Sequence, residues 1–215
     1  MAHVLMVLIS VFVYHKGLCW DHNYSLFTPG MLLLYVHLYA DDTQLYMSFD
    51  LKSQSDEERV RLCVEACILE IKYWMRKNKL KLNDEKTKFL VITSKHLKKN
   101  VGTHNMKVVN ATVNPLKEAK NLGIIFDDNM CMDAHVKKIC QSAYFHLRNI
   151  STIRKLLSYE AAKTVINALV TSRIDNCNSL LYGLPCFLIT KVQRVQNAAA
   201  RLLLGMRKYA RSPLV

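Results

Sequence analysis

The chain has 215 residues, 51% of them hydrophobic and 22% charged, a balance that excludes a disordered linker and suffices for one domain with a sizeable core or two small ones. Thirty Lys and Arg against 17 Asp and Glu leave a formal net charge of +13, which points to a polyanionic partner, either nucleic acid or an anionic membrane. The seven Cys, at 19, 63, 67, 131, 140, 177 and 186, are odd in number and show no CxxC spacing. Cys63 and Cys67 stand one helical turn apart, but no second Cys/His pair completes a zinc site, so reduced, buried thiols are the expectation. Asn-x-Ser/Thr sequons begin at Asn23, Asn110 and Asn149 and carry meaning only in a secreted chain.

Taken in order, residues 4–13 form an apolar run long enough for the hydrophobic core of a signal peptide and too short to span a bilayer. No Lys or Arg precedes the run, and Gly17-Leu18-Cys19 makes a poor cleavage site. A buried strand or helix, or a stretch with no role in the fold, is the preferred reading, and secretion is not expected. Residues 15–30 read as loop, closed by Pro29-Gly30. Two runs rich in aliphatic, aromatic and β-branched residues then flank Tyr39-Ala40-Asp41-Asp42. They predict a hairpin with strands near 32–39 and 43–48 and a pair of carboxylates at its tip. The tip has no Gly, unlike ordinary tight hairpins. Two readings of Asp41 and Asp42 stand: a solvated turn, or a pair of anions that holds a hard divalent cation.

Ser55-Asp56-Glu57-Glu58 has the pattern of a capping box, and Val60, Val64, Cys67, Ile68, Ile71, Trp74 and Met75 recur at helical spacing to about Asn78. A turn at Asp84-Glu85-Lys86 leads into a buried strand through Ile92. Residues 72–99 hold ten Lys/Arg against Asp84 and Glu85, which suits solvated faces and phosphate contact equally. Two further strands are expected at 107–109 and 121–127, separated by Asn114-Pro115, with Gly123 either a bulge or a place of close backbone approach. From Asp133 the pattern is helical. One stripe is Val136, Ile139, Cys140, Ala143, Leu147 and Ile150. A second is Val165, Ala168, Leu169 and Ser172, N-capped by Ser158; a third is Val192, Val195, Ala199, Leu202 and Leu203, C-capped by Gly205.

The stretch Leu38-Tyr39-Ala40-Asp41-Asp42-Thr43-Gln44-Leu45-Tyr46 closely resembles the catalytic hairpin of reverse transcriptases from non-LTR (LINE-type) retrotransposons. Further blocks resemble the same family in the same order: a helix ending at Trp74, the Leu82-Asn83-Asp84-Glu85-Lys86-Thr87 turn, and Leu122-Gly123 through Asp127. Beyond these come Ile153-Arg154-Lys155-Leu156-Leu157-Ser158, the Ser172-Arg173-Ile174-Asp175-Asn176-Cys177 to Tyr182-Gly183-Leu184-Pro185 segment, and Val195-Gln196-Asn197-Ala198-Ala199-Ala200-Arg201. The resemblance covers about residues 31–215. It implies an α+β fold: a partial polymerase palm over 31–130, with antiparallel strands and a packed helix, then an all-helical thumb over 131–215. Residues 1–30 remain unmatched.

By resemblance, Asp41 and Asp42 would hold Mg²⁺ or Mn²⁺ for two-metal nucleotidyl transfer, and Lys86 would act near the pyrophosphate leaving group. Tyr39 would pack under the primer end, and Leu122 and Gly123 would belong to the hairpin that grips it. Lys137, Lys138, Arg148, Arg154 and Lys155 would touch the duplex backbone. The implied partners are an RNA template and an RNA–DNA or DNA duplex, with deoxynucleoside triphosphates in complete relatives. No membrane partner is implied, and the setting would be nuclear or cytoplasmic. The family also needs a third carboxylate on an upstream strand and a Pro-Gln-Gly segment. Neither is present: only 38 residues precede Tyr39, Asp21 is their only Asp, and its Cys19-Trp20-Asp21-His22 setting does not resemble the family's strand. The expectation is therefore a polymerase fragment inactive as this chain, with a non-catalytic, basic nucleic-acid-binding remnant as the alternative.

Overall fold

The computed structural model describes residues 4–12, 23–27, 33–39, 42–50, 54–80, 87–96, 105–108 and 111–206. It is a mixed helix and strand fold, α+β in class, in two compact units, Met1–Met130 and Cys131–Val215. The first unit is built on a five-stranded antiparallel sheet of β1 (Val4–Phe12), β2 (Asn23–Phe27), β3 (Leu33–Tyr39), β4 (Asp42–Asp50) and β5 (Lys88–Ile92). The strands lie in the order β2-β3-β4-β1-β5. β3 and β4 are the expected hairpin, in a register that sets Tyr39 opposite Asp42 and Tyr35 opposite Tyr46. The apolar run at the start of the chain is a strand paired on both sides, with β4 and with β5. The strand is apolar but for Ser10.

Alternation along the hairpin decides what packs where. Val36, Thr43, Leu45 and Met47 are buried, whereas Tyr35 and Ser48 are exposed. The buried set meets α1 (Gln54–Lys77), which contributes Val60, Val64, Ile68 and Met75 to the same core, together with Phe89 and Met106. Each such side chain removed from water contributes about 1.5–3 kcal/mol. The helix begins at Gln54, one residue ahead of the expected capping box, and the Ser55 side chain lies outside the described residues. Asp56 and Glu57 at its start and Arg76 and Lys77 at its end complement the helix dipole. Trp74, placed in the apolar stripe by spacing, is instead 57% exposed, because at about 100° per residue it lies well off the line of Ile68 and Met75. Cys63 and Cys67 pack at the core margin. Burial, then neighbouring Glu70 and Cys63, push the Cys67 thiol up to about 11, so it stays protonated at neutral pH and serves as a small apolar side chain.

The remaining strands form two small hairpins. β6 (Met106–Val108) pairs with β7 (Ala111–Val113), a strand that the sequence reading passed over, and β8 (Glu118–Asn121) pairs with β9 (Ile124–Asp127). The segment expected as one strand over 121–127 is thus a turn and a strand, because Leu122 and Gly123 both take positive φ, 45° and 89°. β8–β9 is fastened to β5 through the Leu90–Leu116 bridge, the Leu116 amide donating to Phe89 O (2.8 Å), and the contact of Leu90 with Ala119.

The second unit is helical: α2 (Asp133–Ile153), α3 (Tyr159–Ile166), α4 (Ser172–Asp175) and α5 (Cys186–Leu203). Ser158 caps α3 by accepting from the Ala161 amide at 3.2 Å, and Gly205 at φ 67° follows the end of α5, both as the sequence suggested. The second predicted stripe is displaced. Ala162, Ile166, Val170 and Ile174 are buried, whereas Ala168, Leu169 and Ser172 are exposed. A π-helical turn at Asn167–Thr171 joins α3 to α4, and its wider i→i+5 winding turns every fourth residue inward. Arg154 ties the unit together: its guanidinium donates to Leu157 O (3.0 Å), Leu202 O (3.2 Å) and Leu203 O (2.7 Å), the last two at the end of α5, where helix carbonyls run out of intrahelical partners.

Arg154→Ala should lower the second unit's unfolding free energy by about 1–3 kcal/mol in urea titrations, and Arg154→Lys should recover only part, since an ammonium cannot reproduce the planar fork. His135 is buried, and burial lowers its pKa from 6.5. The unfolded chain binds the proton near 6.5 and the folded one only below that, so acidification from this pH downward should destabilise the unit. The His135→Gln variant should lose that component; an unchanged pH profile would contradict the assignment.

Candidate nucleic-acid interface

Of the expected site residues around the hairpin tip, Tyr39 and Asp42 are described, at one end of the sheet. Tyr39 is the last residue of β3 and Asp42 the first of β4. Phe12, the last residue of β1, is the register partner of Asp42 on its other side. Asp41, Asp21 and Lys86 lie outside the described residues, as do the side chains of Tyr39 and Asp42. Two carboxylates on one tip are enough to attract a single hard cation. A two-metal centre needs donors from a neighbouring strand as well. β1 reads Val-Leu-Met-Val-Leu-Ile-Ser-Val-Phe and has no Asp or Glu. Among the described residues no three His, Cys, Asp or Glu are grouped as metal ligands. Among the described residues, the strand beside Asp42 therefore adds no carboxylate to the tip.

The hairpin at 118–127 is brought to the sheet. The Gln44 amide on β4 donates to Asn121 Oδ1 on β8 at 3.0 Å, and Asn121 is 7% exposed. Lys88 on β5 donates to Lys120 O at 3.2 Å. These bonds fix the turn that presents Leu122, 44% exposed, and Gly123. No local signal in the sequence announces a bond between residues 77 positions apart.

On the sheet face away from α1, Tyr35 and Tyr46 stack with centroids 5.0 Å apart and planes within 8°. His37 Nε2 and Tyr46 Oη share a hydrogen bond of 2.6 Å. Burial and then the adjacent Tyr35 raise the Tyr46 phenol above 10.0, so it keeps its proton at neutral pH. The alternation of 35 with 37 and 44 with 46 was the available clue to this cluster.

In the second unit, Lys137, Lys138 and Arg148 are exposed on α2. Lys137 and Arg148 are eleven residues apart, three turns, so they share a face. Tyr144, 45% exposed, lies between them. Lys155 is exposed, in the short 3₁₀ turn after α2. Arg154 is occupied by the three carbonyls described above. Among the described residues no helix is long and apolar enough to cross a membrane. Compared with protein-family models, with curated proteins and with solved structures, the chain matches none.

Replacing Asn121 with Ala should cost about 1–3 kcal/mol in urea titrations and speed amide exchange at Leu122 and Gly123, because Gln44 loses its partner. If Asn121→Ala left both stability and exchange unchanged, the link between the two hairpins would carry no weight.

Proposed function

We propose that the chain is a catalytically silent fragment of a non-LTR retrotransposon reverse transcriptase, a partial palm followed by a thumb, that holds an RNA–DNA or DNA duplex without extending it. One observation carries the reading most strongly. The Tyr39-to-Asp42 hairpin is docked on the Leu122-Gly123 hairpin through Gln44 and Asn121, as a polymerase site and its primer grip must be. The same sheet supports the reading of silence. The strand beside Asp42 offers Phe12 and no carboxylate, so charge building on a transferred phosphoryl group would lack its clamp. A Mg²⁺ or Mn²⁺ ion at Asp41 and Asp42 would relieve the repulsion of adjacent anions.

Binding would rest on the +13 net charge and on the exposed Lys137, Lys138, Arg148 and Lys155. Each phosphate they neutralise releases a counterion. Recognition would be by shape and backbone, since a duplex with RNA hides its base edges in a deep, narrow groove. The proposed setting is nuclear or cytoplasmic, where RNA templates are found.

The test combines anisotropy titration of a labelled RNA–DNA duplex with primer extension on an RNA template. Affinity should fall steeply with salt, and each of Lys137→Ala and Arg148→Ala should reduce the salt slope by about one. Asp41→Asn and Asp42→Asn should bind as well as the parent or better, as repulsion from phosphate falls. Neither parent nor variant should extend a primer with Mg²⁺ or Mn²⁺. A flat salt response would sink the binding claim; extension by the parent that Asp41→Asn abolishes would sink the claim of silence.

A further inference from the structure

α1 carries a second apolar stripe on the side away from its core. Leu62, Ala66, Leu69 and Tyr73 follow one another at steps of four, three and four residues. Leu62, Leu69 and Tyr73 are 54%, 55% and 63% exposed. At about 100° per residue this line runs almost opposite Val60, Val64, Ile68 and Met75. Steps of four, three and four are the spacing of a coiled-coil seam, whose knobs need holes on a second helix.

The charges beside the seam say which helix. On one flank Glu58 and Glu65 occupy the N-terminal half, held in a row with Arg61 at 3.5 and 3.6 Å. Lys72 and Arg76 occupy the C-terminal half of that flank. On the other flank Asp56 and Glu70 alternate with Arg59 and Lys77. A two-fold axis at the middle of the seam, between residues 67 and 68, would set Glu65 against Lys72 of the second copy and Glu58 against its Arg76. Asp56 would meet Lys77 in the same way, and every contact would occur twice. A parallel pair in the same seam would oppose Glu65 with Glu70 and Lys72 with Lys77, like charges in both cases. The same axis sets Arg59 against Arg76 beyond the ends of the apolar seam, but of the two directions only the antiparallel one opposes unlike charges at Glu65 and Lys72.

We propose that α1 pairs antiparallel with α1 of a second copy of this chain, burying Leu62, Ala66, Leu69 and Tyr73. The seam is short: its four residues extend over about 16 Å of helix. That is well under a standard interface of roughly 800 Å² per partner, so the dimer is reversible and depends on concentration. Duplex binding is not needed for this pairing, and failure of either reading leaves the other standing.

Sedimentation velocity of the full chain over a concentration series, without nucleic acid, tests it. The parent should shift from monomer to dimer as concentration rises. Leu69→Arg, at an exposed position that leaves the core intact by far-UV circular dichroism, should stay monomeric. Glu65→Lys should weaken the dimer about tenfold, as two attractive pairs become repulsive. Adding Lys72→Glu to it should restore the dimer. A parent that stays monomeric throughout, a dimer indifferent to Leu69→Arg, or a dimer tightened by Glu65→Lys would each overturn the proposal.

Discussion

The pairing of β1 with β4 is the constraint on which the first unit depends. It runs without interruption from Val4 opposite Asp50 to Phe12 opposite Asp42. Because the strand order is β2-β3-β4-β1-β5, β1 is what joins the hairpin to β5. β5 in turn holds β8–β9 through Leu90, Leu116 and Ala119. The strand therefore has two consequences of opposite sign. It completes a sheet whose hairpin would otherwise leave an open edge, a hazard for aggregation. It also sets Phe12, and no carboxylate, opposite Asp42 in the sheet register.

Charge and packing divide the work between the two units in different ways. In the first, the core of sheet and α1 is apolar, and polar side chains act as links between elements, Gln44 to Asn121 above all. In the second, a single guanidinium takes that part, since Arg154 closes the end of α5 with hydrogen bonds to carbonyls. A basic residue in a basic chain is thus not automatically a phosphate contact. Lys137 and Arg148, exposed along one face of α2 with Tyr144 between them, are better placed for that role.

Much of this was legible in the amino-acid sequence where the signal is local. Alternation around Tyr39 and Asp42 located the β3–β4 hairpin to within a residue or two, and the apolar spacing of α2 and α5 located both helices. What failed to show was non-local or non-repeating. Residues 4–12 are apolar but for Ser10, a run that periodicity alone cannot assign to strand or helix. β7 is three residues long and leaves no pattern. Ala162 and Ile166 are already buried ahead of the π turn at Asn167–Thr171, whose wider winding carries the buried line on to Val170 and Ile174. Of the candidate site, the hairpin tip and the Leu122-Gly123 turn could be named from motif, but their connection is a tertiary fact carried by two amides.

The central claim is that β1 is an integral central strand of the sheet, beside the hairpin tip. Amide hydrogen exchange across residues 5–11 tests it most directly. Protection there as slow as at Leu45 and Leu90 in the neighbouring strands is the result this account predicts. Fast exchange along residues 5–11 while β4 and β5 stay protected would contradict it, because the strand said to join them would then be absent from the folded sheet.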